Sequence, residues 1–181
     1  MVVRDADLLA ELGRTCGATV YLSVPTVDET AWRALEPGTA HPLQRLRALR
    51  ALRDAGVNAG VLMAPVVPGF TTQPERLEAT IKAVADHGAA FMGANLMYLK
   101  GGTKEHFMKF LARDFPHMVA GYERLYAGAY AKTDYVTSVR GMIGLMQERY
   151  DLAGRTRRPR DTAPKGEPQE PAVEQPPLEW D

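Results

Sequence analysis

Three short, nearly continuous apolar segments recur along the chain at intervals of roughly 30 to 40 residues, about the size of a strand–helix–strand unit. They run from Ala18 to Val24, from Val57 to Val67 and from Ala90 to Leu99, each close to a glycine or proline. Such apolar runs are typical of parallel strands that are covered on both faces. The sequence therefore predicts buried parallel strands joined by long crossover connections.

The segments between these strands have the periodicity and the start and stop signals of helices. Thr26-Val27-Asp28-Glu29 and Thr72-Gln73-Pro74-Glu75 have the spacing of capping boxes, and Pro74 is expected at the first position of its helix. Between them, Pro42 to Ala55 carries a stripe of leucines and ends at Gly56, a typical C-terminal stop. Alternating strands and helices predict an α/β fold with a parallel sheet, arranged either as a barrel or as a doubly wound sheet.

Three strands are too few for a closed barrel, which takes eight strand–helix units in about 250 residues. An amphipathic helix from Asp5 to Arg14 precedes the first strand, and a helix that feeds a parallel strand normally follows another strand. We therefore expect an incomplete parallel (β/α) barrel that lacks its earlier strands. A truncated product, a misplaced start and the downstream half of a split protein all fit this pattern.

The chain divides into three regions by composition and pattern. Residues 1–135 form the predicted partial barrel with its following helices, and residues 136–154 form a C-terminal helix. Residues 155–181 are rich in proline and glutamate and hold few large apolar side chains. Because such a segment buries too little surface to offset its ordering entropy, we expect it to be disordered.

Composition limits the classes of binding partner and the cellular compartment that the sequence favours. The 22 basic and 22 acidic residues balance, so the chain lacks the basic excess typical of nucleic-acid binders. No apolar run approaches the length of a membrane-spanning helix. A single cysteine excludes an internal disulfide framework and favours the cytoplasm. An unpaired edge on the first strand predicts two partners, the missing first half of a barrel or a second copy of the chain.

Candidate site residues lie at the carboxyl ends of the strands, where parallel α/β folds bind ligands. Alternation along the first strand places Ser23 inside a barrel, near a ligand, although a serine bonded only to backbone gives the same pattern. Because Pro65 follows Ala64, we expect the hydrogen bonding of the second strand to stop near Ala64. The loop that follows either lets a flat ligand lie against backbone or is simply rigid. Asn95 lies near the end of the third strand, and a ligand is one partner for its side-chain amide.

Other polar features are less specific. Lys100-Gly101-Gly102-Thr103 opens a predicted helix and either binds an anion or forms an ordinary turn capped by Thr103. Cys16 lies before the first strand, on the face opposite the candidate site. The four histidines lack metal-ligand spacing, and we predict no metal ligands in the chain. The residues alone thus indicate a ligand-binding α/β face and leave its chemistry open.

Several segments, taken in order, resemble the later part of the radical S-adenosylmethionine superfamily. The similarity is to the branch related to spore photoproduct lyase, often labelled "DNA repair photolyase", and covers roughly Val2 to Tyr135. The motifs that carry it are Arg4-Asp5-Ala6-Asp7-Leu8-Leu9, Tyr21-Leu22-Ser23-Val24-Pro25-Thr26, Leu35-Glu36-Pro37-Gly38, Arg45-Leu46, Gly60-Val61-Leu62-Met63-Ala64-Pro65-Val66-Val67-Pro68-Gly69, Gly93-Ala94-Asn95, His106-Phe107 and Tyr122-Glu123-Arg124-Leu125-Tyr126.

The resemblance implies a partial (β/α)6 barrel that binds S-adenosylmethionine beside a 4Fe–4S cluster held by a C-x-x-x-C-x-x-C loop. In that family the cluster cleaves the cofactor reductively to a 5′-deoxyadenosyl radical, which abstracts hydrogen from the substrate. The three strands correspond to the fourth, fifth and sixth. Ser23 then contacts the methionine portion of the cofactor, whereas Ala64 and the stretch that contains Asn95 lie near the adenosine.

The chain departs from the family in one respect that decides its activity. It has no C-x-x-x-C-x-x-C motif, and one cysteine cannot hold a cluster that generally uses cysteine thiolates. We expect a lyase-like radical S-adenosylmethionine protein that is inactive by itself, with no substrate assigned. The alternatives are a non-catalytic interaction module, the downstream half of a split enzyme and a cluster-free, phosphate-binding barrel enzyme.

Overall fold

The structure, a computed structural model, describes residues 2–153; the segment 155–181, predicted to be disordered, lies outside this range. Within it, three strands form one sheet: β1 (Val20–Ser23), β2 (Ala59–Val66) and β3 (Met92–Leu96). The helices are α1 (Ala6–Cys16), α2 (Glu29–Leu35), α3 (Pro42–Asp54), α4 (Pro74–Asp86), α5 (Gly101–Asp114), α6 (Val119–Leu125) and α7 (Thr133–Arg149). Short 3-10 turns cover Val2–Asp5 and Pro116–Met118.

The sheet is parallel and has the strand order β1-β2-β3. One face, which bears Leu22, Val61 and Met92, packs against α1, α3, α4 and α7. The predicted mixed α/β class with a parallel sheet is therefore confirmed. We call the opposite face, which bears Tyr21 and Ser23 at its β1 edge, the open face, because both side chains are exposed there.

Leucines of α3 form much of the core under the sheet. Leu46, Leu49 and Leu52 are fully buried, as their spacing predicts, and each such burial is worth about 1.5–3 kcal/mol. Leu43 was expected on the same stripe but is 39% exposed, and it lies in the first turn of the helix. Gly56 has a φ of 82° and follows the helix, as expected of a stop.

Both predicted capping boxes are wrong in position. Asp28, not Thr26, caps α2, and its carboxylate accepts a hydrogen bond from the Ala31 amide at 2.8 Å. In α4 the N-cap is Gln73, while the Thr72 hydroxyl accepts from the Gly69 amide at 3.0 Å. α4 begins at Pro74, as predicted, but neither threonine caps its helix, because both hydroxyls accept hydrogen bonds from amides in the preceding turns instead.

The strand β2 also departs from expectation at Pro65. Hydrogen bonding was expected to stop near Ala64, but the strand continues to Val66, and the Met97 amide donates to the Val66 carbonyl at 2.9 Å. Pairing with β3 is irregular between Met63 and Val66. An irregularity of this kind accommodates a residue without an N–H inside a strand.

The helices at the two ends of the chain cover the sheet unequally. In α1, Ala6 and Ala10 are buried, whereas Leu8 and Leu12 are 58% and 39% exposed. The helix α7 begins at Thr133, three residues earlier than the boundary expected at position 136, and packs on α4. Among residues 2–153 there is no helix with the length and hydropathy needed to cross a membrane.

A second apolar cluster lies beyond the carboxyl ends of β2 and β3 and is built largely from α5 and α6. Two tyrosines tie it to the strand ends: the Tyr122 hydroxyl donates to the Pro68 carbonyl at 2.5 Å, and the Tyr126 hydroxyl donates to the Met97 carbonyl at 2.9 Å. Burial raises the pKa of both phenols well above the ordinary value. Both hydroxyls therefore stay protonated and serve as structural donors.

Candidate functional site

The three predicted site residues lie on adjacent strands at the carboxyl end of the sheet. Ser23 ends β1, Ala64 lies near the end of β2, and Asn95 is the penultimate residue of β3. The Ser23 hydroxyl donates a hydrogen bond to the Ala64 carbonyl oxygen at 3.1 Å. Ser23 is thus bonded to backbone, one of its two predicted alternatives, but the two lone pairs of its exposed hydroxyl remain free to accept bonds from a ligand.

Asn95 faces the irregular part of β2. The register pairs Met63 with Ala94 and Val66 with Leu96. Two residues of β2, Ala64 and Pro65, therefore lie opposite the single residue Asn95, which is the arrangement of a β-bulge. The Ala64–Pro65 peptide bond is cis. The side chain of Asn95 is exposed, and among the described residues no partner bonds to its amide.

The guanidinium of Arg45 holds the backbone of this site from α3. It donates to the Ser23 carbonyl oxygen at 2.9 Å and to the Ala40 carbonyl oxygen at 2.9 Å. It also donates to the Thr39 hydroxyl at 2.7 Å and pairs with the Glu36 carboxylate at 3.0 Å. The end of β1 and the turn after α2 are therefore joined through one side chain.

A second arginine joins the turns that follow β1 and β2. Arg76 of α4 donates to the Phe70 carbonyl oxygen at 2.6 Å, and its Nε atom lies 3.4 Å from the Asp28 carboxylate. Because Asp28 is the N-cap residue of α2, Arg76 is held against the start of α2, the first helix after β1. Arg76 therefore links the two loops beside the candidate site to each other.

An aromatic pair covers the other end of the open face. The rings of Tyr21 and Phe91 lie 4.6 Å apart, measured between their centroids. A Cβ atom on Gly60 would lie 2.3 Å from the Phe91 ring, so glycine is required where this ring crosses β2. The pair bounds the open face toward the amino ends of the strands, and Ser23, Ala64 and Asn95 lie toward the carboxyl ends.

The loop after β3 differs from its prediction. The helix α5 begins at Gly101, with Lys100 as its N-cap residue and without a side-chain cap. Thr103, the predicted cap, lies inside the first turn, and Gly101 begins the helix with a left-handed φ of 53° that favours glycine.

The residues of this chain do not fit an iron–sulfur cluster. The single cysteine, Cys16, ends α1 at the amino side of the sheet, and its thiol donates to the Leu12 carbonyl oxygen. Across residues 2–153, no three histidine, cysteine, aspartate or glutamate side chains are grouped so as to hold a metal ion. On the open face, the side chains of Ser23 and Asn95 are exposed and offer hydrogen-bond donors and acceptors to solvent.

A separate cleft of about 500 Å³ opens between the turn after β2 and the helices α6 and α7. Its walls include Met118, Leu125 and Met142, and Tyr135 closes one side by donating to the Thr72 hydroxyl at 3.0 Å. None of the three predicted site residues lines it. It is therefore not part of the candidate site.

Sequence reasoning found the three strand-end residues but missed Arg45 and the bulge. Arg45 is one of several arginines on α3, and Arg47 and Arg50 have the same local pattern but are exposed. Nothing in the periodicity singles out the one that turns toward β1. Pro65 was a usable signal for an irregularity, although it was interpreted as the end of strand pairing.

No family model matches the chain, and no solved structure matches it. It is similar to uncharacterized proteins of Mycobacterium bovis and Mycobacterium tuberculosis, each 34% identical over 152 residues. That match covers 83% of this chain and 45% of each relative. An uncharacterized protein of Acidianus two-tailed virus is 28% identical over 114 residues, 61% of this chain and 37% of that protein. The chain therefore spans less than half the length of the mycobacterial relatives it matches.

Proposed function

We propose that this chain is the S-adenosylmethionine-binding later part of a radical S-adenosylmethionine barrel, related to the spore photoproduct lyase branch. The observation that carries the proposal is the placement of Ser23, Ala64 and Asn95. These residues, chosen from the motifs of the resemblance, lie side by side on three strands at the carboxyl end of the open face. The activity and substrate of the whole protein are part of the proposal.

The arrangement of the sheet supports the barrel over the doubly wound alternative. Strands follow each other in chain order, and α1, α3, α4 and α7 all pack on one face. A doubly wound sheet carries helices on both faces and reverses its strand order at a switch point. The helix α1 also lies in the helix layer ahead of β1, where the helix of a preceding strand–helix unit belongs.

The chemistry of each residue suits one part of the cofactor. The free lone pairs of the Ser23 hydroxyl accept from the ammonium group of the methionine portion. Asn95 offers both an amide donor and a carbonyl acceptor to the adenosine. The small side chain of Ala64, opposite Asn95 at the bulge, lets a flat ring lie against the β2 backbone.

The cluster ligands belong to a segment outside residues 1–181, since this sequence holds one cysteine. The cluster, when bound, supplies the electron that cleaves the cofactor reductively. The greater length of the mycobacterial relatives leaves more than half of each for such a segment. The residues described here bind and orient the cofactor and do no electron transfer.

One observation favours a second function, a non-catalytic interaction module. The outer edge of β1 pairs with no described strand, and Leu8 and Leu12 of α1 are exposed beside the layer that covers the sheet. Such an edge is a template for pairing with another chain. A module of this kind would bind a partner strand and would have no affinity for S-adenosylmethionine.

Two measurements test the proposal. The part of the mycobacterial relatives outside the match is expected to contain a C-x-x-x-C-x-x-C motif. The full chain, supplied with such a cysteine-bearing segment on the same chain or in trans, is then expected to bind S-adenosylmethionine and to release 5′-deoxyadenosine under anaerobic reduction. We call this assembly the completed protein. Failure of the completed protein to bind the cofactor would refute the proposal and favour the interaction module.

A further inference from the structure

Arg45 is a mostly buried arginine whose donors are directed at backbone and loop atoms. Its side chain is 15% exposed, and it contacts Ser23, Glu36, Thr39 and Ala40 at distances of 2.7 to 3.0 Å. The exposed ion pair between Arg33 and Glu29 on the neighbouring helix α2 is different, since that arginine is 71% exposed. Arg45 therefore has a specific structural task.

The carbonyl group that Arg45 binds lies at the outer edge of β1. The Val24 amide donates to the Leu62 carbonyl of β2 at 3.1 Å. Because backbone groups of successive residues in a strand point to opposite edges, the backbone groups of Ser23 point away from β2. The guanidinium thus occupies an acceptor that an adjoining strand would otherwise use.

Two bonds therefore fix Ser23 from two directions. The backbone carbonyl is bound in the plane of the sheet by Arg45, and the hydroxyl is bound on the open face by the Ala64 carbonyl. The bond from Arg45 also prevents strand pairing from continuing past Ser23 along the outer edge. Any strand added at the outer edge of β1 would therefore separate from β1 at Ser23, the residue whose hydroxyl faces the proposed ligand.

We propose that Arg45 is a positioning residue for the cofactor site: it fixes the end of β1 and so orients the Ser23 hydroxyl toward S-adenosylmethionine. This inference rests on the proposed function, because it assigns a ligand to Ser23. Lysine cannot replace the planar fork of arginine donors, which reaches the strand, the Glu36 carboxylate and the turn together.

Three variants test the inference in the full chain and in the completed protein. Arg45→Met removes all the bonds, Arg45→Lys keeps the charge, and Arg47→Met, exposed on the same helix, is the matched control. Amide hydrogen exchange of the full chain reports the end of β1 through the Val24 amide. Calorimetric titration with S-adenosylmethionine reports binding by the completed protein.

We expect Arg45→Met to speed exchange at Val24 and to weaken cofactor binding by about tenfold or more, the size typical of lost supporting bonds. Arg45→Lys should recover part of the affinity, and Arg47→Met should match the wild type in both measurements. If the wild-type completed protein binds the cofactor and Arg45→Met binds it equally well, Arg45 only ties the turn and the inference is overturned. If the wild type itself binds none, the proposed function fails first, and the ligand role of Arg45 fails with it. If Arg45→Met does not melt cooperatively, the affinity of Arg45→Lys decides: equality with the wild type overturns the inference.

Discussion

The hydroxyl of Ser23 on β1 donates to the carbonyl oxygen of Ala64 on β2 across 3.1 Å, a contact between residues 41 positions apart in the chain. The bond links the carboxyl ends of two neighbouring strands on the open face. It also leaves the oxygen of Ser23 able to accept, which is the property a ligand-binding serine needs. The same atom therefore has a structural partner and a free acceptor side.

Ser23→Ala should separate these two roles. In the completed protein we expect weaker S-adenosylmethionine binding with unchanged iron and sulfide content, because the proposed function assigns the hydroxyl to the cofactor and not to the cluster. Titration calorimetry and iron analysis on the same preparation measure both. Thr30→Ala, at an exposed hydroxyl on α2, is the control. Unchanged cofactor affinity in Ser23→Ala would remove Ser23 from the site even if the family proposal stands.

Gly60→Ala should destabilise the fold by about 1–3 kcal/mol, the usual cost of adding a methylene to a packed position. The new Cβ would lie 2.3 Å from the ring and 2.4 Å from the backbone oxygen of Phe91. Urea unfolding followed by circular dichroism measures the loss. If Gly60→Ala lowers the free energy of unfolding less in a Phe91→Ala protein than in the wild type, part of its cost comes from the clash with the Phe91 ring.

Gly144→Ala is the matched control for this substitution. Gly144 lies inside α7, and nothing lies within 4 Å of the Cβ position there. Because alanine is a better helix former than glycine, this variant should gain up to about 1 kcal/mol. Equal effects of the two substitutions would contradict the tight fit over Gly60.

The strands and the long helices were predictable because each is defined by a local pattern. The buried positions Leu77, Ile81 and Val84 of α4 follow directly from their spacing. The residues that cap α2 and α4 were not predictable, because Thr26 and Thr72 had two competing uses, capping a helix or bonding the turn before it. Local sequence does not decide between these uses.

The polar support of the site depends on contacts that sequence periodicity does not encode. Arg45 is bonded to Ser23, 22 residues earlier, and Tyr150 is bonded to Glu78, 72 residues earlier. Periodicity separates a buried face of a helix from an exposed one, but it does not tell which of several cations reaches a neighbouring element. Such residues are found only once the elements are packed.

Acid should loosen the contact between α4 and α7. The hydrogen bond from the Tyr150 hydroxyl, and next the one from Arg149, lower the pKa of Glu78 below its ordinary value of 4.5. A carboxylate with a lowered pKa in the folded state stabilises the fold above pH 4.5, and this stabilisation is lost as the pH falls through the folded pKa. Urea midpoints measured across this acid range should therefore fall more steeply in the wild type than in Glu78→Gln.

Tyr150→Phe tests the assigned cause, because it removes the first of the two hydrogen bonds to Glu78. Its acid dependence should lie between those of the wild type and Glu78→Gln. The effect will be small, since the Glu78 side chain is 36% exposed and solvent screens the interaction. Identical pH profiles for the wild type and Tyr150→Phe would contradict the role of the phenol.

The uncovered edge of β1 should make the chain self-associate when it is produced alone. The outer edge of β1 pairs with no described strand, and Tyr21 on β1 and Leu8 and Leu12 on α1 expose large apolar side chains. Light scattering at micromolar concentration should show oligomers, and Leu8→Glu with Leu12→Glu should reduce them. Leu145→Glu, at a leucine 69% exposed on α7, is the control and should have no effect. A wild-type monomer with cooperative melting would show that the unpaired edge of β1 does not cause self-association.

The full chain alone should assemble no 4Fe–4S cluster and should not cleave S-adenosylmethionine. The family motif needs three thiolates, and the sequence contains only Cys16. Cys16 also lies before β1, whereas the candidate site lies at the opposite end of the strand. β1 has four residues, so at about 3.3 Å per residue its two ends are roughly 10 Å apart, too far for direct ligation.

Anaerobic reconstitution with iron and sulfide, followed by visible absorbance and a 5′-deoxyadenosine assay, measures both expectations. The Cys16→Ser variant is the control for adventitious iron on the exposed thiol. We expect the wild type and Cys16→Ser to show neither cluster absorbance nor 5′-deoxyadenosine release. The completed protein should show both, with cysteine or serine at position 16. A stable cluster on the lone chain that disappears in Cys16→Ser would mean that this thiol is a ligand. The cluster would then belong to this chain and not to a second segment.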